Sequence, residues 1–221
     1  MADAKIDQNR RIEIGRARRA RTRAKILAAA FEIFGDEAGL FVRVEDIANH
    51  AGITRPTFYS QFTGLAELRE ALTYELTHDF LSDVTRTISL LDDPRERASA
   101  AVRHYLSRVR EDRKWGWSMV NLSANGVIFG AETHRQAEIT IVQGMEAGLL
   151  SVGSSAVGRD LVLGSTLAAI ATMVRGEVAG DYPEQIALGI LQALGIAPEA
   201  AREIAMRPLP ELAPAPASLQ T

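Results

Sequence analysis

The sequence predicts an all-α fold: an N-terminal three-helix domain containing a helix-turn-helix, followed by a larger helical domain. Three observations predict it. Apolar residues recur three and four apart along nearly the whole chain, and no stretch alternates long enough to make a strand. The segment "ANHAGITRPTF", Ala48 to Phe58, joins two short apolar patterns through a glycine, a threonine and a proline in the order that a tight inter-helix turn needs. The run Leu161 to Val174, "LVLGSTLAAIATMV", is apolar on almost every face, which suits a helix buried on more than one side.

Composition narrows the function classes. A chain of 221 residues, 47% of them apolar, can bury a substantial core. The absence of cysteine excludes disulfides, thiolate metal sites and cysteine nucleophiles, and it permits a reducing compartment. The first twenty residues carry no apolar leader core. The run Leu161 to Val174 is too short and too rich in Gly, Ser and Thr to span a bilayer. The expectation is a soluble cytoplasmic protein with no membrane partner.

The formal net charge of -3 hides an uneven distribution. Between Arg10 and Lys25 lie eight basic residues, Arg16, Arg18, Arg19, Arg21 and Arg23 among them, against the single acid Glu13. Such a run is either a solvated tail or a polyanion-binding arm. The neighbouring segment favours the arm.

A first helix is predicted from about Arg21 to Ala38, with Ile26, Leu27, Ala30, Phe31 and Phe34 as its apolar stripe and Gly39 as its stop. A short second helix runs from Val44 to His50, with Glu45 and Asp46 in its first turn, where the helix dipole favours acids. Gly52 supplies the positive φ of the turn, Ile53 fills the apolar angle, and Thr54 caps the next helix. Pro56 sits in the first turn, where its missing N–H costs nothing. The third helix, Arg55 to Gln61, points Phe58 at the core and leaves Arg55, Thr57, Tyr59, Ser60 and Gln61 outward. This is a helix-turn-helix.

Residues 21 to 68, "RTRAKILAAAFEIFGDEAGLFVRVEDIANHAGITRPTFYSQFTGLAEL", closely resemble the N-terminal DNA-binding domain of the TetR family of bacterial transcriptional regulators, most specifically in "IANHAGITRPTFYSQF". The resemblance implies a homodimer on a palindromic double-stranded DNA operator, one third helix per half-site in the major groove. It implies backbone contacts from Thr54, Tyr59 and Gln61 and base-facing positions at Arg55, Pro56, Thr57 and Ser60. The chemistry agrees, since hydroxyls suit phosphates and an arginine can fork onto guanine. Two positions depart from the family pattern. Gly64-Leu65 stands where a lysine is usual, and Arg43 replaces the usual threonine cap of the second helix. Arg43 and the arm from Arg16 to Arg23 are expected to compensate, the arm by reaching into a minor groove.

The expected domains are a basic arm (1–20), the helix-turn-helix domain (21–68), a ligand-binding and dimerisation domain (69–206) and a disordered proline- and alanine-rich tail (207–221). A long helix runs from Leu65 to Leu91, and Asp93-Pro94 restarts the chain into a helix to Asp112. Bulky and polar residues then mix unusually. Tyr105, Trp115, Trp117, Met119, Asn121, Asn125, Phe129 and His134 are the candidates for lining a cavity that holds an apolar or aromatic effector. Core filling is the rival explanation for each one singly; the family resemblance implies an effector site. Helices near 158–178 and 182–196 are the expected homodimer interface, with Gly164, Ser165, Ala168, Ala169 and Thr172 permitting close packing.

An enzyme is disfavoured. His134 with Glu138, and His104 with Asp112, are the only pairs that invite a ligand or acid–base role. There is no phosphate-cradling glycine loop and no nucleophile motif, so no catalytic residue, metal or cofactor is expected. The reading is a ligand-responsive regulator, a repressor by family habit. The alternative is a helical adaptor of the same fold that no longer binds DNA specifically.

Overall fold

The computed structural model describes residues 2–213; the side chains of 2–9, 11 and 125 lie outside the described residues, as does everything from 214 onward. The Asn125 side chain and most of the expected tail are thus outside them. All regular structure among the described residues is helical. The chain forms two compact units, Met1–Leu72 and Thr73–Thr221.

In the first unit, α1 runs Ala2–Phe34, a 3-10 turn spans Glu37–Phe41, α2 is Val44–His50 and α3 is Arg55–Tyr59. The apolar stripe places the start of the first helix near Arg21; the structure continues the same helix through the basic arm. Ala and Arg propagate helix readily, and the single Gly15 between Arg10 and Arg21 does not end it. The helix also stops earlier than expected, at Phe34, where Asp36 accepts a hydrogen bond from Ala38 N–H at 3.0 Å and starts the 3-10 turn. Ile26, Ala30 and Phe34 are buried against Ile47, Ala48, Phe58 and Phe62.

The inter-helix turn forms as the sequence requires. Gly52 adopts φ +61°, and Thr54 Oγ1 accepts from Thr57 N–H at 3.3 Å, capping α3 with Pro56 in its first turn. Arg43 replaces a side-chain cap by a reciprocal arrangement: its N–H donates to Asp46 Oδ2 at 2.8 Å. α4, Leu65–Ile88, starts in this unit and continues into the second. Its first turn is closed by Glu67, which accepts from Thr63 N–H at 2.7 Å and from Thr63 Oγ1 at 2.9 Å.

The second unit packs α5 (Pro94–Glu111), α6 (Arg113–Leu122), α7 (Gly130–Glu146), α8 (Ser155–Arg175), α9 (Tyr182–Ala193) and α10 (Pro198–Ala205) with the rest of α4. α5 and α6 meet at Asp112, whose carboxylate accepts from Trp115 N–H at 2.9 Å. Gly116 lets α6 lie close to two other helices, since a Cβ there would come within 2.7 Å of Val174 and 2.9 Å of Val109.

α8 is longer than the apolar run that announced it, because "SAVGRD" extends it back to a Ser154 cap. At 21 residues it is long and apolar enough to cross a membrane by length and composition. Its buried side chains, Val162, Leu163, Thr166, Ile170 and Val174 among them, are packed inside this unit, as in a core helix. Ala169 also turns inward, while Gly164 and Ser165 are half-buried and Ala168 and Thr172 are exposed.

Neither α10 nor the ordered chain after it is among the elements expected from sequence. Residues 207–213 are tied down rather than disordered. Arg207 pairs with Glu96 and Glu203, and its carbonyl accepts from Arg103 at 2.7 Å. Leu209 packs on Val84, Ile88 and Ala100, and Ala213 N–H donates to Thr87 Oγ1 at 2.8 Å.

A Cβ at Gly52 would meet nothing within 4 Å, so only backbone strain opposes a side chain there. Gly52→Ala is expected to destabilise the first unit by about 1–2 kcal/mol, and Gly52→Asn by less, because Asn tolerates the left-handed region. Urea denaturation of the full chain followed by circular dichroism checks the order.

Candidate nucleic-acid interface and buried cavity

The outer face of α3 is built from what its core face excludes. Phe58 and Phe62 are buried and in ring contact, with centroids 5.8 Å apart. Burying them rotates Arg55, Pro56, Tyr59 and Ser60 to the surface, with Thr57 and Gln61 half-buried at its edges. Tyr59 keeps 47% of its surface exposed while its ring edge meets Phe58, so its hydroxyl is carried on a fixed ring. Hydrogen bonds between the Thr54 and Thr57 hydroxyls (2.9 Å) and from Ser60 to the Thr57 carbonyl (2.7 Å) hold the small hydroxyls in register.

The positive charge around this face divides into two kinds. Arg16, Arg18, Arg19 and Arg21 are exposed along α1, and Arg43 is exposed at the start of α2. Arg55 is paired with Glu45 at 2.9 Å, both side chains well exposed. Such a pair contributes little and can be given up at small cost. Arg23 differs: its guanidinium lies 4.2 Å over the Phe62 ring and donates to the Gln61 carbonyl at 3.3 Å, so it braces α1 against the end of α3. Arg69 braces from the other side, 4.5 Å over Phe34 and donating to the Leu40 carbonyl at 3.2 Å. Leu65, in the place of the usual lysine, is half-buried.

In the second unit, α4, α5, α7 and α8 line a cavity of about 60 Å³. Leu81, Val84 and Ile88 line it from α4, Ala98, Val102 and Tyr105 from α5, and Thr133, Ala137 and Ile141 from α7, with Val162 and Leu163 closing the α8 side. Its polar groups are mostly committed. The Tyr105 hydroxyl bonds Thr133 Oγ1 at 3.0 Å; Thr140 and Thr166 donate to the carbonyls of Gln136 (3.2 Å) and Val162 (2.7 Å). Burial pushes the Tyr105 phenol above its ordinary range, so it is neutral. Arg97, the one lining cation among the described residues, donates to the Leu91 and Asp92 carbonyls and to Gln143, at 2.7, 2.9 and 2.7 Å. No carboxylate lines the cavity among the described residues. An uncharged guest suits this lining, because a charged one would lose its hydration without gaining a counter-ion.

Of the residues proposed from sequence for the cavity, Tyr105 and Phe129 line it. Phe129 is buried and left-handed at φ 59°, an unusual conformation for an aromatic residue; its N–H donates to Ser123 Oγ at 3.2 Å and its ring lies 5.0 Å from Tyr105. Trp115 is one layer away, packed on Phe80 and Tyr105 with its indole N–H on the Leu76 carbonyl at 3.1 Å. Trp117, Met119 and Asn121 are buried in α6 without lining the cavity, and Arg175 lies 5.2 Å over the Trp117 ring. His134 is half-buried on α7 and also off the cavity. The α7 residues missed, Thr133, Gln136, Thr140 and Ile141, recur at helical spacing and were legible as one stripe.

In the two pairs that invite an enzyme reading, the carboxylates bond to other groups. Glu138 accepts from Ser155 (3.0 Å) and Arg159 (3.0 Å), which hold its carboxyl below the usual range. Asp112 caps α6, while His104 is buried with Nε2 unpartnered. Among the described residues no group of three or more His, Asp or Glu side chains could hold a metal ion.

A capped helix flanked by exposed arginines in one unit, and an apolar cavity in the other, fit a DNA-binding, ligand-responsive regulator. Two family profiles agree, "Bacterial regulatory proteins, tetR family" over residues 26–72 and "Tetracyclin repressor-like, C-terminal domain" over residues 93–207. The chain belongs to the TetR family of bacterial transcriptional regulators. Among solved structures it is similar to RolR in complex with resorcinol (26% identity, 89% of this chain and 99% of that one, TM-score 0.69) and to RolR without ligand (25%, 86% and 100%, 0.69). FadR of Bacillus subtilis in complex with stearoyl-CoA shares the fold at 16% identity, over 77% of this chain and 96% of that one (TM-score 0.58). The HTH-type transcriptional activator FasR of Mycolicibacterium smegmatis is 29% identical over 90 residues, an alignment that spans 41% of each chain.

Burial, reinforced by the neighbouring Arg103 charge, pushes the His104 imidazole down to about 4. The folded form therefore binds fewer protons than the unfolded form between an ordinary histidine value of about 6.5 and 4, and stability falls as pH drops through that window. His104→Leu is expected to flatten this loss while leaving stability near pH 7.5 unchanged or raised, since it also removes an unpartnered buried nitrogen. Melting temperatures of both proteins from pH 7.5 to 4.5 check it.

Proposed function

We propose that the protein is a homodimeric repressor that binds a palindromic operator and is released by a small, uncharged, apolar or aromatic effector. The observation that carries the DNA half is the capped α3, whose buried Phe58, with Phe62 just beyond the helix, aims Arg55, Thr57, Tyr59 and Ser60 outward. Arg55, Pro56, Thr57 and Ser60 face bases; Thr54, Tyr59 and Gln61 hold phosphates. Arg43 and the α1 arginines Arg16, Arg18, Arg19 and Arg21 add phosphate charge. A helix about 10–12 Å across does not enter a minor groove about 6 Å wide, so the arm acts on phosphates as a helix. Arg23 supports α3 from behind.

The dimer reading is supported by α8, which is apolar on several faces yet leaves Val157 and Ala168 exposed, and by the neighbouring α9. A monomer by light scattering at micromolar concentration overturns it. The effector reading is supported by the cavity lining and by the similarity to a regulator solved with resorcinol, an uncharged dihydroxybenzene. The effector acts by binding the operator-bound and released forms with different affinity.

Fluorescence anisotropy against the DNA upstream of the protein's own gene, with a scrambled duplex and a salt series, tests the regulator reading. Tight, salt-sensitive binding to the first duplex alone is expected. Equal weak binding to both indicates the adaptor alternative, to which Leu65 would have contributed. In the same assay Arg55→Ala is expected to cost about 1–3 kcal/mol and relax specificity at one base pair. Tyr59→Phe weakens binding to all sequences alike. Deleting residues 1–20 lowers affinity and flattens the salt slope. Resorcinol and other neutral single-ring arenes are expected to raise the melting temperature and release the DNA, and their carboxylated counterparts to do neither.

A further inference from the structure

We infer that the cavity is loaded through the seam between α4 and α7, with Leu81, Thr85 and Gln136 as its gate. These three residues line the buried cavity and also line a surface depression of about 350 Å³ on its outer side. They are thus the wall between cavity and solvent. The depression is otherwise polar, with Ser82, Arg86, Ser89, Glu132 and Arg135 around it.

Ala137, also half-buried, adjoins Gln136 on the α7 side of the seam, and the other half-buried lining residues, Arg97 and Ala101, are closed more firmly. Arg97 is fixed by hydrogen bonds to three acceptors. Ala101 is packed against the Val84, Ile88 and Ala100 cluster, which Leu209 also covers. The α5 and α8 walls are made of buried Ala98, Val102, Val162 and Leu163. By contrast Leu81, Thr85 and Gln136 are each half-buried, and rotation of three side chains opens the wall without unpacking a helix.

The anchors of α4 flank this span rather than cross it. The Leu76 carbonyl accepts from Trp115, and Thr87 holds Ala213 N–H. His78 and Glu132, 2.8 Å apart, join α4 to α7 before the gate begins. The gate is also chemically selective. Its charged rim suits ions, and the lining behind it offers no uncommitted counter-charge, so neutral solutes pass and charged ones stay outside.

The inference builds on the cavity as the effector site, and xenon separates the two claims because it fills apolar cavities whatever the biological ligand is. Xenon-129 exchange spectroscopy on the full chain is expected to show one bound population. Gln136→Ala and Leu81→Ala should each speed its association several-fold, and Gln136→Trp should slow it several-fold. Val162→Ala, on the opposite wall, should enlarge the bound population without changing the association rate. Unchanged rates in the gate variants, equal acceleration in Val162→Ala, or no bound xenon in any protein overturns the inference. Gated xenon exchange together with failure of every arene to release DNA leaves the route standing and removes the effector reading.

Discussion

The second unit depends on one buried indole. Trp115 has almost no exposed surface, so its N–H must find an acceptor inside the protein, and it takes the Leu76 carbonyl of α4. That bond fixes the rotation of α6 against α4. The ring then sets the positions of Phe80 and Tyr105, at 5.6 and 5.9 Å, and Tyr105 in turn positions Phe129 and, through its hydroxyl, Thr133. The chain of contacts runs from α6 through α5 to the start of α7. It fills one end of the space between the helices and leaves the other end, lined by shorter aliphatic and threonine side chains, as the cavity.

The first unit solves a different problem. It is small, and a core of Ile26, Phe34, Ile47, Phe58, Phe62 and Leu68 is modest for a unit whose outer face must be rigid. Two arginines enlarge it. Arg23 and Arg69 lay their guanidinium planes on Phe62 and Phe34 and commit donors to the carbonyls of Gln61 and Leu40, so charged side chains do the packing that aliphatic ones would do in a larger domain. The cost of burying Arg69 shows in its titration, which desolvation lowers. The gain is an α3 braced just past its C-terminal end by Arg23, and an α1 and 3-10 turn braced by Arg69, while the outer face of α3 stays free of core residues.

A residue's role is legible in the sequence when that role is local. Gly52, Thr54 and Pro56 act through φ, a cap and a first-turn position, all readable from neighbours in the chain, and the helix-turn-helix came out with them. The arm's helicity was not readable, because exposed residues such as Arg16 to Arg21 leave no apolar stripe to mark a helix. Trp115, Trp117 and Met119 read as cavity residues because bulk beside polar groups is what a binding wall looks like in sequence. Which neighbour a buried ring faces is set by the crossing of α5, α6 and α8, and Gly116 places α6 with those rings turned toward the core. The α7 stripe was periodic enough to read, but nothing local tells a stripe facing a cavity from one facing a packed core. The strap from Arg207 to Ala213 was invisible for a related reason: its partners, Glu96, Arg103 and Thr87, lie far away in sequence.

The size of the cavity constrains how an effector could act. At about 60 Å³ it is well below the roughly 150 Å³ of an apolar cavity known to hold benzene. A single-ring guest must therefore push its walls apart, and protein interiors resist that until some packed contact yields. On α5 and α8 the yielding contacts would be fully buried side chains. On α4 they are Leu81 and Thr85, half-exposed and backed by solvent on one side. On the proposed function, the work of binding falls on α4 between its anchors at Leu76 and Thr87, the helix whose first turns, from Leu65, belong to the first unit. A guest that fitted without displacing anything would bind both forms of the protein equally and shift no population, however tight its binding. On the proposed function, a cavity too small for its guest makes occupancy and the position of α4 depend on one another.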